Sequence, residues 1–389
     1  MPDSFVETTS TSWLSRIVQS ITGVLFGIVF VIGAIILLFW NEGRAVQTAR
    51  SLSEGGKVVV DAAPAPVDPG NESKLIHVSG DAKASTPVTD RVLGVAVVAL
   101  RLVRVAEMYQ WVEEKHEETH KWVGGSEQTT TTYTYKKQWS DRAVDSQNFR
   151  HPDEHGNPQK KFSGLNVAAS DATLGAFRLG AAELDLLPAN AALLVDSQTA
   201  DKIKSTFANA QVVDGKIYLA ADPDKPQVGD YRISYTYAPV GPVSVIGRQS
   251  GSGIAPYQTK AGDRLLLAVP GEQSAAAMFK QAERDNMILT WIIRLGGVLA
   301  MWLGAFLVLR PLVVVADVVP LIGSVIGAGA GLAALAFTMA VAGAVIALAW
   351  LWYRPLVGIA ALAVGLIAGI ALHRLAARRG AARATPATA

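Results

Sequence analysis

Apolar residues gather at the two ends of this chain, and the polar text between them alternates with a period of two. Residues 1–16 are polar and rich in Ser and Thr; residues 17–40 then run apolar to Trp40, with no charge after Arg16. Twenty helical residues rise about 30 Å, the thickness of a bilayer core, so this segment predicts a membrane helix. It is longer than a signal-peptide core and no small-residue cleavage site follows it, so it reads as an uncleaved anchor. The second apolar block predicts a membrane helix over 287–309, preceded by a helical run from Ser274 to Asp285. Pro311 and Pro320 leave about nine residues between them, about 14 Å of helix, too short to cross. Residues 310–327 are therefore expected to be an interfacial or re-entrant piece. Membrane helices over 328–352 and 356–372 follow, with a turn at Tyr353-Arg354-Pro355 between them.

Residues 41–286 hold no further span and read as one globular domain. Strand signals lead it. Val95–Glu113 puts Val103, Val105, Tyr109 and Trp111 on one parity and Arg104, Met108 and Gln110 on the other. Thr129–Arg142 puts Tyr133, Tyr135 and Trp139 on one face. Joined by the polar stretch Glu117–Gln128, the two strands predict a hairpin, with its aromatic residues expected in the core. Tyr231–Tyr237 alternates strictly and Val243–Gln249 is a further strand, whereas 185–196 and 197–209 look helical. The predicted fold is a multi-pass α-helical membrane protein with four spans and a large, sheet-led α+β domain.

Charge fixes the expected orientation. The basic residues Arg374, Arg378, Arg379 and Arg383 mark the tail 373–389 as cytoplasmic; four spans then place residues 1–16 on that side as a cytoplasmic tail and the domain 41–286 outside the cytoplasm. Over the whole chain 35 Lys and Arg nearly balance 33 Asp and Glu, which argues against a nucleic-acid partner. The absence of cysteine excludes disulfides, thiolate metal sites and cysteine nucleophiles, so packing alone must hold the domain.

Within the membrane block, Arg294 lies one to two turns inside its predicted helix, where an unpaired charge costs about 2–3 kcal/mol. It is expected to snorkel to the headgroups, or to pair with Asp317 if the segment 310–327 is re-entrant. Gly323, Gly327 and Gly331 recur every fourth residue, and Gly296, Ala300 and Gly304 form a second small face; both let helices approach closely. In the domain, His116-Glu-Glu-Thr-His120 has the spacing in which two histidines one helical turn apart bind zinc and a glutamate activates water. No amphipathic helix surrounds it, and His151 and His155 form a second pair in a loop, so solvated loops are the expectation and no metal or cofactor is assigned.

Several segments together resemble the transmembrane protein 43 (LUMA) family. They are Asn41-Glu42-Gly43-Arg44, Glu107 with Tyr109 and Trp111, Asn148-Phe149, His155 with Asn157-Pro158, Gly229-Asp230 with Arg232, and Val245–Gln249. Thr259-Lys260, Gly262-Asp263, Trp291 with Arg294, and Arg354-Pro355 complete the series in chain order. The resemblance implies one N-terminal span, a large extracytoplasmic or lumenal domain and three C-terminal spans. It also implies a protein that self-associates and organises membrane-protein complexes, in animals within the endoplasmic reticulum and inner nuclear membrane. The Ala-, Gly- and Val-rich composition points to a bacterial member, hence to a cytoplasmic membrane with a periplasmic domain. The expected function is a non-enzymatic membrane scaffold whose partners are lipids, other membrane proteins and further copies of itself. The alternatives are a membrane-bound zinc hydrolase using His116, Glu117 and His120, and a lipid-handling protein using Asp317.

Overall fold

The computed structural model describes residues 3–356, 358–360, 363, 367 and 374 of the 389-residue chain. Backbone proximity divides it into two units. One holds the described part of Met1–Thr9 with Ser51–His120 and Gln128–Glu283; the other holds Ser10–Arg50, Lys121–Glu127 and the described residues from Arg284 onward.

The first unit is sheet-led. Its strands include β1 (Asp3–Thr11), β2 (Leu75–Lys83), β3 (Val88–Asp90), β4 (Val95–Val97), β5 (Arg101–Lys121), β6 (Glu127–Ser140) and β7 (Leu165–Ala168). Later come β8 (Ala210–Val213), β9 (Lys216–Leu219), β10 (Tyr231–Ala238), β11 (Gly241–Ser250) and β12 (Leu267–Pro270). One sheet runs β1-β6-β5-β10-β9-β8, with β7 also on β5; a second is built on the antiparallel ladder of β2 with β11, from Gly241 opposite Ala82 to Arg248 opposite Leu75, with β12 beside β11. Ile76, Val78, Leu102, Met108, Leu174, Phe177, Ile217, Ile233 and Val245 meet in one core. Two short helices, α2 (Ala181–Leu186) and α3 (Ser197–Thr206), flank it. The expected hairpin is β5–β6. The helix expected over 185–196 is not continuous, because Pro188 follows α2 and Ala191–Leu193 pairs with β10 instead.

The parity of β5 inverts the expectation for its aromatics. Leu102, Arg104, Ala106, Met108 and Gln110 are buried, whereas Tyr109 and Trp111 are half-buried. Polar side chains occupy the inner face because each is satisfied there. Arg104 bonds Asp90 and the Ser163 carbonyl, and Gln110 bonds the Arg142 carbonyl and the Val144 N–H.

Residues 3–11, expected within a separate cytoplasmic tail, form β1 and pair with β6.

Among the described residues three helices, which make up most of the second unit, are long and apolar enough to cross a membrane: α1 (Trp13–Val58), α4 (Ala275–Ala316) and α5 (Pro320–Tyr353). The fourth expected span, 356–372, and the tail 373–389 fall largely outside the described residues. The expected re-entrant piece at 310–327 is absent. Pro311 lacks one N–H but does not end α4, which continues to Ala316. The chain breaks only at Asp317–Val319, and Pro320 then occupies the first turn of α5, where proline is favoured. The third helix thus begins at Pro320 rather than at 328. α1 likewise runs through Asn41–Ala45, expected as the start of the domain. Helices α1 and α4 cross at Gly27 and Gly304: a Cβ on Gly27 would lie 2.6 Å from the Gly304 carbonyl oxygen.

Candidate functional site

The polar residues of the helical unit form two clusters. At the first, Asn41, Glu42 and Arg44 project from α1. Glu42 is 3 % exposed and accepts two bonds from the Arg294 guanidinium, at 2.6 and 2.9 Å, so the pair is bidentate. Trp350 of α5 donates its indole N–H to the same carboxylate at 3.0 Å, joining all three helices at one group. Trp291 lies under the guanidinium at 4.7 Å. On the same turn of α1, Asn41 donates to the Thr290 carbonyl, while Arg44 donates to the Asn286 amide oxygen and the Thr290 hydroxyl. Asn286 returns a bond to the Ala45 carbonyl. Gly43 admits the Tyr353 ring, which a Cβ would meet at 2.6 Å. The sequence places these residues correctly for a helical pair: 41, 42, 44 and 45 lie on the α1 turn that faces 286, 290 and 294, themselves spaced by four.

Arg294 is therefore paired with Glu42, neither snorkelling nor bonded to Asp317. Asp317 forms the second cluster. It is fully buried, with Arg16 at 2.5 Å and Lys121 at 2.7 Å on one carboxylate oxygen. Arg16 also meets Glu127 at 2.6 Å and the Gly125 carbonyl, and Trp13 donates to the Val314 carbonyl. Gly323 packs directly on Asp317, since a Cβ there would lie 1.9 Å from Oδ1. A Cβ on Gly327 would only touch Val313, at 3.4 Å, and one on Gly331 would meet nothing within 4 Å, so the glycine repeat has one stringent member.

The sheet unit carries its own buried charge. Asp90 accepts from Arg104 and from the Tyr235 hydroxyl at 2.6 Å; burial and that carboxylate push the phenol well above its ordinary range. Beside this triad is a cavity of about 680 Å³ lined by 86–92, Arg104, Leu165 and 167–170. Glu107 and Arg232 sit opposite each other on β5 and β10 and form a bidentate pair, with Trp139 over the guanidinium and Tyr109 against Trp139. Gly229 turns the chain into β10 and donates to the Tyr109 carbonyl; Tyr109 in turn donates to the Asp230 carbonyl. Arg354 ends α5 by donating to the Trp350 carbonyl, and Pro355 follows.

The four candidate histidines do not converge. His116 and His120 lie on β5, where residues four apart stand about 13 Å apart, and Glu117 points to the opposite face from both. The zinc spacing requires a helical turn that this strand does not supply. His151 and His155 instead enter an aromatic nest. His155 is fully buried, stacks on Tyr135 at 3.8 Å, and bonds the His151 carbonyl through Nδ1. Burial and the Glu113 carboxylate that accepts its hydroxyl proton push Tyr135 up to about 12. Among the described residues no three His, Asp or Glu side chains are grouped as a metal ion requires.

The residues that sequence reasoning missed are Glu42 as the partner of Arg294, Arg16 and Lys121 as partners of Asp317, and Trp13, which donates to the neighbouring Val314 carbonyl. A signal for the first was present: Asn41-Glu-Gly-Arg directly continues an apolar helix, with no proline until Pro64 and the single Gly43 before the Gly55-Gly56 pair, so Glu42 belongs on that helix.

Three long apolar helices joined by buried ion pairs, together with a sheet-led domain, define an α+β membrane protein. The profile of the family described as Transmembrane protein 43 matches residues 108–355. Transmembrane protein 43 of Rattus norvegicus is 34 % identical over 364 residues, covering 88 % of each chain. That of Homo sapiens is 33 % identical over 376 residues, covering 92 % of this chain and 90 % of its own. The Transmembrane protein 43 homolog of Drosophila melanogaster is 30 % identical over 351 residues, 88 % and 91 % of the two chains. The chain belongs to the transmembrane protein 43 family. No solved structure matches it.

Proposed function

We propose that this protein is a non-enzymatic membrane scaffold that organises membrane-protein complexes through its sheet domain and by self-association. The Glu42 clamp carries the reading. One carboxylate engaged by Arg294 of α4 and Trp350 of α5 fixes three helices in a single register, and a platform for other proteins needs such rigidity. The helix faces away from the clamp expose large apolar side chains, Leu25, Phe26, Ile36, Leu295 and Leu299 among them, which suit lipid and neighbouring membrane helices. The sheet domain is extracytoplasmic in this proposal, and in a bacterium periplasmic.

The test is the particle mass of the purified full-length protein in mild detergent, measured together with its metal content. The scaffold reading expects a mass several times that of one chain and no stoichiometric zinc. A monomeric particle overturns self-association, and one zinc per chain that is lost in His116→Ala overturns the non-enzymatic reading.

A further inference from the structure

Helices α1 and α5 leave a groove between them. It runs between Ile36, Phe39 and Trp40 of α1 and Val345, Leu348 and Tyr353 of α5, and its volume of about 490 Å³ is that of a small-molecule site. Ile36 is 63 % exposed and Trp40 is 54 % exposed, so the groove opens outward from the bundle rather than into its core. A second apolar cavity, of about 410 Å³, lies further along the same face of α1, at Ile28 and Ile32 opposite Phe337. Positions 28, 32, 36 and 39 recur at helical spacing, so one apolar stripe of α1 serves both cavities.

The mouth of the groove is where the apolar runs stop. Asn41 follows Trp40 and Arg354 follows Tyr353, so an acyl chain lying in the groove brings its headgroup to these residues. Two guanidinium groups stand there. Arg50 donates to the Tyr353 carbonyl at 2.6 Å, and Arg354 is the next residue; both are exposed, and among the described residues neither meets a carboxylate. The carboxylate of Glu42 does not offset them, because Arg294 already holds it by both oxygens. The Tyr353 ring packs on Gly43 and lies 5.4 Å from Phe39, and its hydroxyl bonds no described residue, which leaves a third donor at the mouth.

We propose that this groove binds an anionic phospholipid of the leaflet that meets the C-terminal end of α5. Its acyl chain lies against α1 and α5, and its phosphate sits among Arg50, Arg354 and the Tyr353 hydroxyl. Charge complementarity selects this occupant. An apolar helix from another protein fills the walls but leaves two arginines unmatched, and a zwitterionic lipid brings a cation of its own beside them. An anionic headgroup answers both guanidinium groups, each through charge-assisted hydrogen bonds. The site does not depend on self-association.

The natural absence of cysteine makes the test direct. Leu37 is on α1 beside the groove without lining it, so full-length Leu37→Cys carries a bimane label in phosphatidylcholine vesicles, where lipids with brominated acyl chains quench it. Brominated phosphatidylglycerol is expected to quench at a lower mole fraction than brominated phosphatidylcholine, by about fivefold for each arginine. Arg50→Gln and Arg354→Gln should each lower that preference, and the double glutamine variant should remove it. The double lysine variant should keep it, as should Arg284→Gln, which alters an exposed arginine of α4 outside the groove. Equal quenching by the two lipids overturns the proposal and leaves ordinary lipid contact. A preference that survives the double glutamine variant places the anion elsewhere and overturns it too. Quenching by neither lipid means that protein covers the groove, whether the C-terminal residues of this chain or a second copy, and the proposal fails.

Discussion

At the scale of single residues, Glu42 is the group that the helical unit can least leave alone. Its carboxylate is buried, and among the described residues its two oxygens accept from Arg294 and Trp350. Taking one partner from a buried pair strands the other charge and costs about 3–5 kcal/mol, whereas removing both is far cheaper. Glu42→Ala and Arg294→Ala should therefore each lower the unfolding temperature in detergent substantially, and the double variant should lose clearly less than the sum. Thermal unfolding followed by tryptophan fluorescence, with Trp291 and Trp350 beside the pair, measures the cycle; losses additive within about 0.5 kcal/mol would mean that the two residues do not act on each other. Arg294→Lys should recover only part of the loss, because an ammonium keeps the charge but not the two-pronged geometry. The same logic explains Arg104, a charge on the buried face of β5 that is tolerated because Asp90 and a carbonyl meet it.

At the scale of elements, the turn between α4 and α5 is set by one contact. With its Cβ 1.9 Å from Asp317 Oδ1, an alanine at 323 has to push the first turn of α5 off the carboxylate, and Arg16 and Lys121 are bound to that same side chain. Gly323→Ala should speed amide exchange across 314–323 and reduce stability, while Gly331→Ala, with open space around it, should be neutral or slightly stabilising through helix propensity. Equal effects at both positions would return the glycines to a uniform packing face. This contrast marks what was legible in the sequence. Hydrophobic period announced the helices and the β5–β6 hairpin, and glycine spacing announced close approach, because both are local patterns. Helix ends were not local: α1 passes through Asn41-Glu-Gly-Arg and α4 through Arg310-Pro311, since tertiary pairing holds turns that propensity alone would end. With α1 expected to stop at 40, Glu42 had no place on a helix and Arg294 had no visible partner. Arg104 and Gln110 were assigned to the outer face for a similar reason, their buried partners being distant in sequence.

At the scale of the molecule, the pairing of β1 with β6 constrains which side of the membrane each part occupies. The charge pattern alone expects residues 1–16 in the cytoplasm and the sheet across the bilayer from them. A shared ladder of backbone hydrogen bonds expects instead that β1 and the sheet meet the same solvent. Because the chain has no cysteine, one thiol placed at an exposed position reports its own side without background. Val6 on β1 and Val213 on β8 are 61 % and 40 % exposed, and both lie in the sheet unit. If α1 crosses the membrane, Val6→Cys and Val213→Cys, each in the full-length protein in sealed vesicles, should react with a membrane-impermeant maleimide from opposite faces, and reaction from the same face would mean that the β1–β6 ladder forms and α1 does not cross. If Val6→Cys is protected where Val213→Cys reacts, and becomes reactive only when the vesicles are opened, β1 does not pair with β6 in the membrane.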